Sequence, residues 1–201
     1  MEGRVERRTR VPWALELVLL VVAALCLTLV VKANVAQAFS IPSSSMEPQL
    51  LVGDRVVVSR LSYRLHDVNR GDIVVFPSPD AVPDDDGLVE GVVGDLLETI
   101  GVREPGDDVL IKRVVGLPGE TISAVDGRVV VDGHILMEPY LPDGLRTEAF
   151  GPVEIPAGEV FMMGDNRGNS ADSRVIGTVD VDTIVGRAIA RVWPPRRAAF
   201  L

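Results

Sequence analysis

The sequence predicts a mostly β protein: an N-terminal transmembrane helix, then an antiparallel β-sheet domain with a small inserted β region and one inserted amphipathic helix. Three observations lead there. Residues 11–31, VPWALELVLLVVAALCLTLVV, form an apolar run with one charge, Glu16, and roughly 20 apolar residues span a bilayer. Beyond it the pattern breaks into short Val/Ile-rich runs punctuated by Gly, Pro and Asp, the signature of strands and turns. One stretch, residues 88–101, instead repeats apolar residues at helical spacing.

The elements follow in order. Arg4, Arg7, Arg8 and Arg10 precede the apolar run and only Lys32 closely follows it. The positive-inside rule then places residues 1–10 in the cytoplasm, 11–31 in the membrane and 32–201 outside. A secretory signal peptide is the rival reading, because Ala36-Gln37-Ala38 resembles a small-residue cleavage site. The run is longer than a usual signal-peptide core, which favours an uncleaved anchor. Residues 54–63, 71–77, 108–116, 120–136, 153–165 and 185–194 read as strands. Asp126-Gly127 and Asp132-Gly133 supply hairpin turns. Residues 78–87 are a Pro/Asp-rich linker. Leu88, Val89, Val92, Val93, Leu96, Leu97 and Ile100 then mark one face of a helix, so 78–107 reads as a helical insertion. Residues from about 120 to 158 read as a smaller inserted β region.

Charge and composition exclude several functions. Residues 1–32 carry five basic and three acidic side chains, a net of +2, which leaves −11 for the rest of the chain. An acidic body without a basic stripe argues against nucleic-acid binding. Cys26 is the single cysteine, so neither an internal disulfide nor a multi-cysteine metal site is available. His66 and His134 have no metal-ligand spacing. No metal, no cofactor and no obligate protein partner is expected.

The basic residues show a second bias: eighteen are arginine and two are lysine. Lys112 is the only lysine beyond Lys32, and it lies within VLIKRVVG. Alternation puts Leu110, Lys112 and Val114 on one strand face and Ile111, Arg113 and Val115 on the other. A lysine among apolar neighbours loses its proton more readily, because desolvation disfavours the ammonium; arginine cannot. Lys112 is therefore a candidate general base, with an edge-strand lysine reaching water as the plain alternative. Two polar clusters offer it partners. Ile41-Pro42-Ser43-Ser44-Ser45-Met46-Glu47-Pro48 is a serine run held between prolines that fix φ. Residues 163–174, MGDNRGNSADSR, form a polar loop after an apolar strand, with Asp172 and Arg174 as a carboxylate–guanidinium pair.

Taken in order, the anchor, PSSSMEP, GDIVVF, IKRVVGLPG and GDNRGNSADSR resemble the boxes of bacterial type I signal peptidases, including actinobacterial members. The resemblance implies a membrane-anchored serine endopeptidase that removes signal peptides from exported precursor proteins after Ala-X-Ala-like sites. It implies Ser45 as nucleophile and Lys112 as general base, a Ser-Lys variant of the nucleophile-plus-base arrangement. It implies an oxyanion hole from the Ser43 hydroxyl and the Ser45 N–H, a Ser170 hydrogen bond that aims Lys112, and Asp172 and Arg174 as loop supports. Ile41, Pro42, Met46, Leu50, Leu110 and Ile111 match positions lining shallow substrate pockets. The implied partners are precursor proteins and the lipid bilayer of the cytoplasmic membrane. Gly168 departs from the family pattern, which usually has aspartate there, and this bears on the loop's hydrogen bonding. Two other readings share these residues: a self-cleaving repressor-type Ser-Lys peptidase, and an anchored β domain that binds exported peptides without cutting them.

Overall fold

The computed structural model describes residues 13–79 and 109–201. The predicted helix at 88–101 lies outside the described residues. The chain opens with α1 (Trp13–Val35), a 23-residue helix. Its side chains are described for Trp13 and residues 15–25. Among the described residues no helix is long and apolar enough to cross a membrane, so that part of α1 does not by itself establish a span.

The body is antiparallel β throughout. β1 (Ala36–Ser40), β2 (Arg55–Ser59), β3 (Ile73–Pro77), β4 (Val109–Gly116), β9 (Glu159–Met163), β10 (Val179–Asp180) and β11 (Gly186–Trp193) make one sheet in the order β1-β2-β11-β3-β4-β9-β10, with β12 (Ala199–Phe200) on β11. β5 (Thr121–Val125), β6 (Arg128–Val131), β7 (His134–Ile135) and β8 (Phe150–Glu154) make a second sheet in the order β7-β6-β5-β8. Among the described residues two single α-helical turns, α2 (Ser62–Leu65) and α3 (Ser173–Ile176), join the body.

Local chemistry explains the joints. Asp126 and Gly127 have φ of 53° and 84°, and Asp132 and Gly133 have φ of 48° and 76°. Both pairs therefore make the tight turns that need two positive φ values. The run read as one strand over 153–165 is two strands in different sheets: β8 pairs with β5 and β9 pairs with β4. Pro156 and Gly158, the latter at φ 82°, break it. The strand expected at 54–63 stops at Ser59, and its remainder turns into α2. The Ala36-Gln37-Ala38 triplet is not a loose segment. It lies in β1, paired with Ser59, Val58 and Val57 of β2.

Alternation sorts the core. Ile73, Val75 and Ile111 join Phe39, Ile41, Met46, Leu50, Val56, Val58 and Ala188 in one cluster. Val74, Phe76 and Val114 join Val160 and Met162 in another. Val115, Ile122, Val129, Val131, Ile155, Phe161 and Met163 fill a third, between the two sheets. Burial of this kind contributes about 25 cal/mol per Å² of apolar surface. It fixes β4 between β3 and β9, with Lys112 opposite Val74 and Arg113 opposite Met163.

Candidate active site

β4 pairs with β3 along Val109–Arg113, but with β9 only from Arg113 onward. The other edge of residues 109–112 therefore has no strand against it among the described residues. The serine loop comes to this place. Residues 44–46 form a 3₁₀ turn, with Ser45 and Met46 buried. Lys112 Nζ donates to Ser45 Oγ at 2.9 Å and to the Ile111 carbonyl at 2.9 Å. Ser43 Oγ lies 3.2 Å from Ser45 Oγ, on a residue that is exposed. Of the three serines, only Ser45 touches the lysine.

Lys112 is 2% exposed. Burial pushes its pKa from the ordinary 10.5 down to about 8, while the negative charge of Asp172 pulls it part of the way back. Near neutral pH a usable fraction of Lys112 is thus the free amine. Its lone pair can accept the proton of the Ser45 hydroxyl, which makes that oxygen a nucleophile.

The polar loop 164–174 holds the serine turn from the other side. Asn166 donates its backbone N–H to the Ser45 carbonyl at 3.0 Å and its side-chain amide to the Ser44 carbonyl at 3.1 Å. Asn169 Nδ2 reaches Ser44 Oγ at 3.1 Å. These two asparagines carry no role in the sequence reading; their position in the Gly-Asp-Asn loop is the only local signal. Gly164 is wedged between the two loops. A Cβ there would lie 2.3 Å from Ser170 Oγ and 2.5 Å from the Ser45 carbonyl oxygen, so only glycine fits.

Asp172 and Arg174 are paired as the sequence suggests. Asp172 is fully buried. Arg174 donates through Nε and a terminal nitrogen, both at 2.8 Å, and the Gly164 N–H donates at 2.9 Å. Burial alone would raise the Asp172 pKa, but these hydrogen bonds outweigh it and hold the carboxylate below its ordinary range. Arg174 also donates to the Arg167 carbonyl at 2.7 Å, which closes the loop on itself.

One expectation needs correction. The Ser170–Lys112 hydrogen bond is absent: Ser170 Oγ is buried with no hydrogen-bond partner. The lysine nitrogen is turned to Ser45 and to its own strand carbonyl, and Ser170 packs against Gly164 instead. The residues matched to substrate pockets lie in three surroundings. Ile41, Met46, Leu50 and Ile111 belong to one buried cluster, Leu110 packs with the cluster on the opposite strand face, and Pro42 is exposed. Alternation makes this unavoidable for neighbours such as Leu110 and Ile111. Gly168 is where the loop departs from the pattern it resembles. It is exposed, and a Cβ there would meet nothing within 4 Å.

A second buried network lies beside the first. Arg113 forms a two-pronged pair with Asp165, at 2.8 and 2.7 Å. Arg167 pairs with Glu138. Among the described residues no group of three or more His, Cys, Asp and Glu side chains is placed to hold a metal ion.

The chain matches the model of the family "Signal peptidase, peptidase S26" over residues 14–193. It is 38% identical over 187 residues to a probable signal peptidase I-2 of Synechocystis, an alignment covering 93% of this chain and 77% of that protein. It is 37% identical over 216 residues to a signal peptidase I of Mycobacterium tuberculosis, covering 90% and 73%. A crystal structure of a signal peptidase I from Enterococcus faecalis superposes with a TM-score of 0.42 at 27% identity, over 61% of this chain and 97% of that one.

Proposed function

This chain belongs to the signal peptidase S26 family, and we propose that it removes signal peptides from exported precursor proteins by a Ser45–Lys112 dyad. The observation that carries the mechanism is the 2.9 Å bond between a serine in a rigid turn and a buried lysine.

The geometry orders the steps. Neutral Lys112 takes the Ser45 proton as Oγ attacks the scissile carbonyl carbon. The negative oxygen that develops is held by the Ser45 N–H and the Ser43 hydroxyl, which swings from Ser45 Oγ toward it; each such donor is typically worth roughly 10²–10³ in kcat. The intermediate collapses, the C–N bond breaks, and Lys112 returns the proton to the leaving amine. Water, deprotonated by the same lysine, then attacks the ester carbonyl, and Lys112 returns that proton to Ser45 Oγ as the acyl C–O bond breaks. Asp172 and Arg174 hold the loop that carries Asn166 and Asn169 against the serine turn. No cofactor enters these steps.

The substrate lies extended along the free edge of residues 109–112 and adds a strand to the sheet. Ile41, Met46, Leu50 and Ile111 are already packed together. Subsites above that filled floor, rimmed by Pro42, are shallow, and shallow subsites favour alanine over larger side chains.

The proposed placement in the cell rests on the apolar run of residues 11–31 and the arginines that precede it. At 1.5 Å per residue the 23 residues of α1 reach about 35 Å, against a hydrocarbon core of about 30 Å. Leu15, Leu17, Leu19, Leu20 and Leu25 are exposed, as suits lipid rather than water. Residues 11–31 cross the cytoplasmic membrane, residues 1–10 stay in the cytoplasm, and residues 32–201 form the extracytoplasmic peptidase domain, with the 78–107 insertion and the small β region of about 120–158.

The full chain in detergent micelles, given a peptide with an Ala-X-Ala site, tests this. Cleavage is expected from the wild type, and none above background from Ser45→Ala or Lys112→Arg. Full activity in Lys112→Arg would refute the dyad; absence of turnover by the wild type would refute the peptidase.

A further inference from the structure

The small sheet has no residue in the dyad, yet it delivers the most elaborate polar contacts in the described structure. They come from the segment between β7 and β8. Glu138 takes both terminal nitrogens of Arg167, one at 3.0 Å and one in a shorter ion pair. Thr147 Oγ1 accepts from the same guanidinium at 2.8 Å, and Arg167 Nε donates to the Gly164 carbonyl at 3.2 Å. Tyr140 donates its hydroxyl to Glu138 at 2.7 Å. The Tyr140 ring lies under the Arg113 guanidinium, 4.0 Å from its centroid. The segment is itself fastened to the β5–β6 hairpin, where the Thr147 N–H donates to the Gly127 carbonyl at 3.0 Å.

Both arginines lead to the reacting atoms. Arg113 is the chain neighbour of Lys112 and grips Asp165 with two bonds. Arg167 sits two residues beyond Asp165. Between them stand Gly164, Asp165 and Asn166, and Asn166 holds the Ser45 carbonyl. The segment therefore grips the lysine strand through one arginine and the loop that seats the serine through the other.

We infer that Glu138 and Tyr140 are positioning residues that set the Ser45–Lys112 geometry by holding Arg167 and Arg113 together from the small β region. The inference rests on the peptidase reading. Stability alone accounts poorly for the network, because a buried ion pair is often no more stabilising than an apolar replacement of the same volume. Position accounts for it better: a displacement of about 1 Å at reacting atoms costs on the order of 10² in rate.

The test uses the full chain in micelles and an Ala-X-Ala peptide, with kcat expressed per folded molecule from near-ultraviolet circular dichroism. Glu138→Gln is expected to lower kcat by about 10²-fold at a KM within about twofold of wild type. Tyr140→Phe keeps the ring over Arg113 and loses one hydrogen bond; it is expected to lower kcat by about three- to tenfold and keeps the idea testable should Glu138→Gln not fold. The acid limb of the pH profile stays where it is in both, because Lys112 remains buried. A smaller folded fraction with kcat per folded molecule unchanged would mean a structural role only and overturn the inference. A wild type that does not cleave would overturn the peptidase reading and the inference with it.

Discussion

The pH dependence of cleavage is the most direct consequence of Lys112. With a pKa of about 8, roughly one molecule in ten carries the neutral amine at pH 7; at the ordinary 10.5 about one in three thousand would. Burial is thus worth about 300-fold in available base at neutral pH. The expected profile of kcat/KM rises about tenfold per pH unit from pH 6, bends near pH 8 and is flat above it. The assay is initial-rate cleavage of a soluble Ala-X-Ala peptide between pH 6 and 10 at constant ionic strength. The same shift has a stability side. The unfolded lysine holds its proton up to about 10.5 and the folded one only to about 8, so stability rises with pH across that window. Below pH 8 the full cost of about 3 kcal/mol is present. Lys112→Met is then expected to raise stability by about 1–3 kcal/mol at pH 7, less the lost Nζ bonds, and by progressively less toward pH 10. A rate profile without a bend below pH 10, together with a destabilised Lys112→Met at pH 7, would refute the reasoning.

Other perturbations separate the parts of the site. Gly164→Ala drives a methyl into the Ser45 carbonyl and Ser170; urea unfolding should show a loss of about 1–3 kcal/mol, with peptide cleavage falling further than the folded fraction. Gly168→Asp meets open space, so its thermal midpoint should correspond to a change within about 0.5 kcal/mol and its kcat/KM should stay near wild type. Asp172→Asn leaves Arg174 unpaired in a buried site and should cost about 3–5 kcal/mol in chemical denaturation. In whatever folds, the acid limb should move to lower pH, because the charge that raises the Lys112 pKa is gone.

Much of the frame was legible because its causes are local. The Asp-Gly pairs turn the chain through the φ values that those residues tolerate, and Val/Ile runs form strands where alternation gives each a buried face. The errors are also physical. The run at 153–165 looks continuous in hydropathy, yet Pro156 and Gly158 send its halves to different sheets. Ser170 looks like a partner for Lys112 because a hydroxyl follows the right loop, but packing against Gly164 decides which way it faces.

The residues by themselves determined that Lys112 is the odd basic group, that its strand neighbours are apolar, and that a serine run and a Gly-Asp-Asn loop accompany it. Apolar neighbours one and two residues away can be read from the chain; that they bury Lys112 was decided by the sheet. The family resemblance singled out Ser45 among the three serines, but only the tertiary structure shows the contact, because Ser45 and Lys112 are 67 residues apart and meet where β4 outruns β9. The tertiary structure alone assigned Asn166, Asn169, Glu138 and Tyr140. Their partners come from distant elements, and a hydrogen bond across such a distance leaves no period in the sequence to find.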